Sequence, residues 1–83
     1  MKINLRYFAS VREQIGIASE SIDTSSRDLS ELRNELIARG EHYAIALSHG
    51  KAIRMAINQA VSSSNEPLTE NAEVAFFPPV TGG

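Results

Sequence analysis

Cysteine is absent from this 83-residue chain. That removes disulfides, thiolate metal sites and cysteine nucleophiles together, and sulfur cannot ride here as a cysteine persulfide. No apolar run approaches the roughly 20 residues needed to span a bilayer. The opening Met1-Lys2-Ile3-Asn4-Leu5-Arg6 alternates polar and apolar residues and lacks the continuous apolar stretch of a signal peptide. No membrane contact and a cytoplasmic location are therefore expected. There is no basic cluster either: two Lys and six Arg are spread from Lys2 to Arg54, and the net charge is −2 with a pI near 5.6. Phosphate contacts need clustered positive charge, so no nucleic-acid partner is expected.

Catalytic signatures are missing as well. No phosphate-binding glycine loop occurs. His42 and His49 are seven residues apart, too far for an i, i+4 metal pair on one helix. No metal site is expected. Ser62, Ser63 and Ser64 read as a solvated loop, with no Ser/His/Asp arrangement around them. A chain this short buries roughly 60% of its unfolded surface, which leaves little room for a deep cleft. The sequence describes one soluble domain handled by partners, not a self-contained catalyst.

Residues 2–8 alternate, with Ile3, Leu5 and Tyr7 on one face and Lys2, Asn4, Arg6 and Phe8 on the other, as in a half-buried strand. Ser10 and Glu13 fit a capping box, and Gly16 suits the end of a one- or two-turn helix. Residues 17–23 read as a weaker strand returning along the first. Asp28 and Glu31 form a second capping pattern. Leu29, Leu32, Leu36 and Ile37 then make one apolar stripe on a helix of about three turns, with Gly40 as its stop. A short helix through Tyr43, Ala44 and Leu47 ends near Gly50. Residues 52–58 alternate again, with Ile53, Met55 and Ile57 on one face. Residues 73–77 form a last strand stopped by Pro78 and Pro79. The order β-β-α-α-β-β, with the first and last strands paired centrally, predicts an α+β roll of the β-grasp (ubiquitin-like) type: a mixed sheet with one main helix on one face.

The C-terminal Gly82-Gly83 is the sharpest feature. Glycine has no Cβ, so such a backbone enters a channel too narrow for any side chain. The Gly83 carboxylate is ionised at neutral pH and becomes an acyl donor only when a partner activates it. A frayed terminus would look the same. The preceding Pro78-Pro79 favours an extended path that holds Val80, Thr81 and the glycines away from the body, although proline also serves simply to end a strand. Consecutive strand residues point to opposite faces. Phe76 therefore joins Val74 in the core, and Phe77 lies with Phe8 on the uncovered face. Such an exposed aromatic pair marks an interface unless loops cover it.

The string Glu73-Val-Ala-Phe-Phe-Pro-Pro-Val-Thr-Gly-Gly83 resembles the end of the small subunits of molybdopterin synthase. Tyr7–Glu13, Ile57-Asn58-Gln59 and Pro67-Leu68-Thr69 are similar to segments of the same family. One departure is Glu70-Asn71-Ala72, where an Asp-Gly type turn is usual. The resemblance implies a β-grasp domain over residues 1–80 and a flexible tail over 81–83. It implies that an ATP-dependent activating enzyme adenylates Gly83, that a persulfide sulfur donor displaces AMP, and that a thiocarboxylate remains. With Thr81 and Gly82, this terminus enters the large subunit and gives its sulfur to cyclic pyranopterin monophosphate. Two such donations build the molybdopterin dithiolene. The assembly implied is a heterotetramer, with Phe8, Phe77, Pro78, Pro79 and Val80 at the partner interface. No cofactor is expected on this chain, which is not a catalyst alone. Two other classes share the fold and ending: the thiazole-forming sulfur carrier of thiamine biosynthesis and a ubiquitin-like protein modifier. A plain binding module with an inert tail is the third alternative.

Overall fold

The computed structural model describes residues 1–79. The elements in chain order are β1 (Lys2–Tyr7), α1 (Ala9–Ile15), β2 (Ser19–Asp23), α2 (Leu29–Ile37), α3 (Glu41–Leu47), β3 (Arg54–Ile57), β4 (Ala60–Ser62) and β5 (Glu73–Phe77). The strands form one mixed sheet in the order β2-β1-β5-β3-β4. β1 and β5 pair in parallel at its centre, with Leu5 opposite Val74 and Tyr7 opposite Phe76. All other neighbours are antiparallel. This is the β-grasp arrangement.

Alternation decides which side is core. Ile3, Leu5 and Tyr7 of β1, and Val74 and Phe76 of β5, are almost fully buried. They meet Leu29, Leu32 and Leu36 of α2 and Leu47 of α3. Leu32→Ala and Phe76→Ala, each at a site with 0% exposure, should therefore cost about 2–5 kcal/mol apiece. A urea melt that finds less than about 1 kcal/mol would mean that these side chains are not core.

Helix α2 begins as its sequence requires. The Asp28 carboxylate accepts from the Glu31 N–H at 2.9 Å, and Glu31 in turn accepts from the Arg27 N–H at 2.8 Å. These bonds satisfy donors that a helix start leaves open. The buried Arg33 guanidinium donates to the carbonyls of Leu47, Ser48 and Lys51. It thereby closes the C-terminal end of α3, whose last carbonyls have no partners within the helix.

Three local expectations need correction. Ser10 does not cap α1; the N-cap is Phe8, with no side-chain bond, because the turn into the helix is made by backbone at Phe8 and Ala9. Gly40 does not end α2, which stops at Ala38; it is the extended N-cap of α3. The short strand β4 is not among the expected elements, and its last residue, Ser62, falls in the serine run read as loop. It pairs with β3 across Asn58 and Gln59, both at positive φ (49° and 71°), as a two-residue hairpin of the primed type needs. Gly16 does end α1, in the left-handed conformation with φ 95°. At the atypical turn, Asn71 adopts the left-handed conformation itself, which asparagine tolerates better than most residues.

Candidate functional site

The sheet face opposite the helices carries an open groove of about 770 Å³, lined by Arg6, Phe8, Ala9, Gln59, Glu73, Ala75, Phe77, Pro78 and Pro79. Its floor is the central strand pair. Arg6 stands opposite Ala75, and Phe77 follows two residues on, on the same face. Phe8 prolongs β1: its N–H donates to the Phe76 carbonyl at 3.1 Å, and its own carbonyl accepts from Val11 and Arg12. Both sides of its backbone are thus fixed while the residue remains 43% exposed.

Two residues at the groove hold unusual backbone. Ala9 has φ 50° and Gln59 has φ 71°, each costing of the order of 1–2 kcal/mol for a residue with a Cβ. Such strain collects at working surfaces. Here it turns the chain sharply into α1 beside Phe8 and sets the β3–β4 hairpin at the groove edge. Asn58 ties that hairpin to β5: its N–H donates to the Glu73 carbonyl at 2.8 Å, and its Oδ1 accepts from the Glu73 N–H at 3.0 Å. The Arg6 guanidinium lies 5.6 Å from the centre of the Phe8 ring, within cation–π range, and 3.8 Å from Glu73.

Sequence reasoning named Phe8, Phe77, Pro78 and Pro79, and the fold brings all four to one groove. It missed Arg6, Ala9, Gln59, Glu73 and Ala75. Strand phase alone, with parallel pairing of β1 and β5, would have found Arg6, Glu73 and Ala75. Nothing in the side chains of Ala9 or Gln59 announces a left-handed turn. Val80, Thr81, Gly82 and Gly83 lie outside the described residues.

Among the described residues the groove offers apolar walls, one ion pair between Arg6 and Glu73, and no cysteine, serine or histidine to act as a nucleophile. Among the described residues no group of three or more His, Cys, Asp or Glu side chains could hold a metal ion, and no helix is long and apolar enough to cross a membrane. An open groove with aromatic and proline walls suits docking.

A partly buried ionisable cluster lies on the helix side. Tyr7 and Tyr43 both donate to Glu20 Oε2, at 2.8 and 2.7 Å. Burial, then the bond to Glu20, pushes both phenols above the usual tyrosine value of 10.0. The unfolded chain therefore loses these protons first as pH rises, and the stability they confer, fully present below about pH 10, declines above it. Melts taken from pH 8 to 11 should show that decline. Tyr7→Phe should flatten it and cost about 1 kcal/mol at neutral pH.

The ThiS family model matches residues 5–83. The chain is 41% identical over 81 residues to the "Molybdopterin synthase sulfur carrier subunit" of Escherichia coli, covering 98% of this chain and 99% of that protein. Among solved structures, a "Protein-protein complex of subunit 1 and 2 of Molybdopterin-converting factor" from Helicobacter pylori contains a chain that is 27% identical, with a TM-score of 0.69 and complete coverage of both chains. SAMP1, a small archaeal modifier protein of Haloferax volcanii, superposes with a TM-score of 0.76 and complete coverage of both chains. It is only 20% identical, so that likeness shows the fold alone.

Proposed function

The chain belongs to the ThiS family, and from that premise we propose that it is the sulfur carrier subunit of molybdopterin synthase. The observation that carries this reading is end-to-end identity of 41% with a protein of that name. It favours the molybdopterin branch over the thiazole branch. It also favours a sulfur acceptor over a lysine acceptor, since the modifier-like neighbour shares only the fold.

The chain is the non-catalytic, sulfur-donating subunit. In the proposed cycle an activating enzyme joins the Gly83 carboxylate to the α-phosphate of ATP and releases pyrophosphate. The terminal sulfur of a persulfide then displaces AMP to give an acyl disulfide, and a thiol reductant cleaves its S–S bond to leave a thiocarboxylate. That sulfur passes to cyclic pyranopterin monophosphate in the large subunit, and Gly83 returns to a carboxylate. Residues 1–80 serve as the handle and 81–83 as the delivered tail. Thr81 leads into the tail and Gly82 keeps its end thin, since glycine presents no Cβ to a channel wall. ATP is consumed by the activating enzyme, and no cofactor resides on this chain.

The large subunit docks on the groove around Phe8, Phe77, Pro78 and Pro79, with Val80 continuing the contact, in a heterotetramer. Supporting this are the aromatic exposure at Phe8, the aromatic and proline walls of the groove, and a relative solved as a complex of subunits 1 and 2. Intact mass after incubation with ATP, the activating enzyme and a sulfur donor tests the reading. Exchange of one oxygen for sulfur at Gly83 is the expected product. A ladder of conjugates on other proteins would instead assign the chain as a modifier.

A further inference from the structure

The chain as a whole is acidic, with net charge −2, yet the docking face carries the opposite balance. Arg54 stands directly opposite Phe77 on one side of β5, and Arg6 stands opposite Ala75 on the other. Directly paired residues share a face, so both arginines lie on the groove's face, Arg6 in its lining and Arg54 beside it across Phe77. Glu73 is the single carboxylate lining that groove. It is 3.8 Å from Arg6 and offsets that charge in part. Arg54 is exposed, and among the described residues it has no carboxylate within ion-pair distance.

We propose that Arg54 and Arg6 form a cationic rim that selects a protein surface with an apolar centre flanked by carboxylates, and that the large subunit presents such a surface. This rests on the docking reading above. Two guanidinium groups around an aromatic and proline-walled groove are too few for a phosphate backbone. They suit carboxylates, which an arginine fork holds in bidentate fashion. Rim charges act mainly on encounter rate and on salt dependence. Arg54 carries the larger share because Glu73 already occupies Arg6. Arg6 has a second task, since its cation–π contact with the Phe8 ring helps position the exposed aromatic.

The test is association of the full chain with purified large subunit, by stopped flow, from about 0.05 to 0.5 M salt, a range over which screening shortens to a few ångströms. Wild-type association should slow as salt rises. Arg54→Gln should weaken binding about two- to fivefold at low salt, as an exposed ion pair allows. Arg54→Glu should weaken it about tenfold or more there, and converge on wild type at high salt. Arg54→Lys should keep the salt slope. Circular dichroism on each sample establishes folding, and Arg54→Gln keeps the test open if Arg54→Glu does not fold. Association that ignores salt, or an Arg54→Glu chain that binds as wild type at low salt, overturns the rim. A dimer of the isolated chain that Arg54→Glu dissolves would assign the rim to a second copy, and so overturns it too. Phe77→Ala on the same partner separates the two levels. If it alone weakens binding, the groove stands and the rim falls. If it binds as wild type, the docking reading itself has failed.

Discussion

Deleting Gly83, or adding one residue after it, is expected to abolish sulfur transfer and leave folding intact. The reason is reach. One residue of extended chain spans about 3.3–3.6 Å, whereas a misplacement of about 1 Å at a reacting centre already costs about a hundredfold. A carboxylate shortened or overshot by a whole residue cannot meet the adenylating and sulfur-accepting centres that its partners hold fixed. Gly82→Val should block transfer by another route, since Cβ and its two methyl groups need space that a channel fitted to glycine lacks. Stability should not follow activity. The buried cluster runs from Ile3 to Phe76, and surface changes away from a core stay within about 0.5 kcal/mol. Mass spectrometry of the thiocarboxylate and a urea melt on the same preparation check both halves. A thiocarboxylate on the deleted chain that still supports transfer would refute the role of Gly83.

What could be read in advance follows from where the deciding forces act. Ile3, Leu5 and Tyr7, and Val74 with Phe76, alternate because one sheet face is buried, so pattern reports phase directly. Their phase then gave the open-face position of Phe8 and Phe77 without any structure. Asp28 caps α2 through a bond that closes within three residues, which is also local information. The failures are tertiary or backbone events. Strand β4 is three residues long with two exposed, so burial imposes no pattern on it, and its turn uses Asn58-Gln59 with no glycine. Arg33 lies in the apolar part of α2 because carbonyls at the end of α3 receive its guanidinium. Helical periodicity cannot foresee an acceptor brought from another element. The start of α1 depends on Ala9 taking a left-handed conformation that its side chain does not request. Ser10, a good cap by type, was therefore the wrong residue.

Phe77→Asp should leave the isolated domain folded and lower affinity for the large subunit at least about thirtyfold, taking about 2 kcal/mol for a central aromatic anchor and about 1.4 kcal/mol per factor of ten. Phe77 is half-buried on the open face, while its neighbour Phe76 has 0% exposure in the core. The substitution therefore removes no core packing. An aspartate there also lies opposite Arg54, and an opposite-charge pair across strands contributes about 0.2–1 kcal/mol. That offsets part of the poor strand propensity of aspartate, which is of the order of 1 kcal/mol at most. In the complex the balance reverses. The carboxylate is pressed into a groove walled by Phe8, Pro78 and Pro79, loses water, and costs several kcal/mol unless a partner group compensates. The aromatic contact is lost as well. Circular dichroism and a binding titration on one sample read both outcomes. An unfolded Phe77→Asp chain would show that this side chain is core and that the two faces of β5 have been exchanged. A folded chain with unchanged affinity would remove the groove from the docking surface and leave the tail alone to recognise the partner.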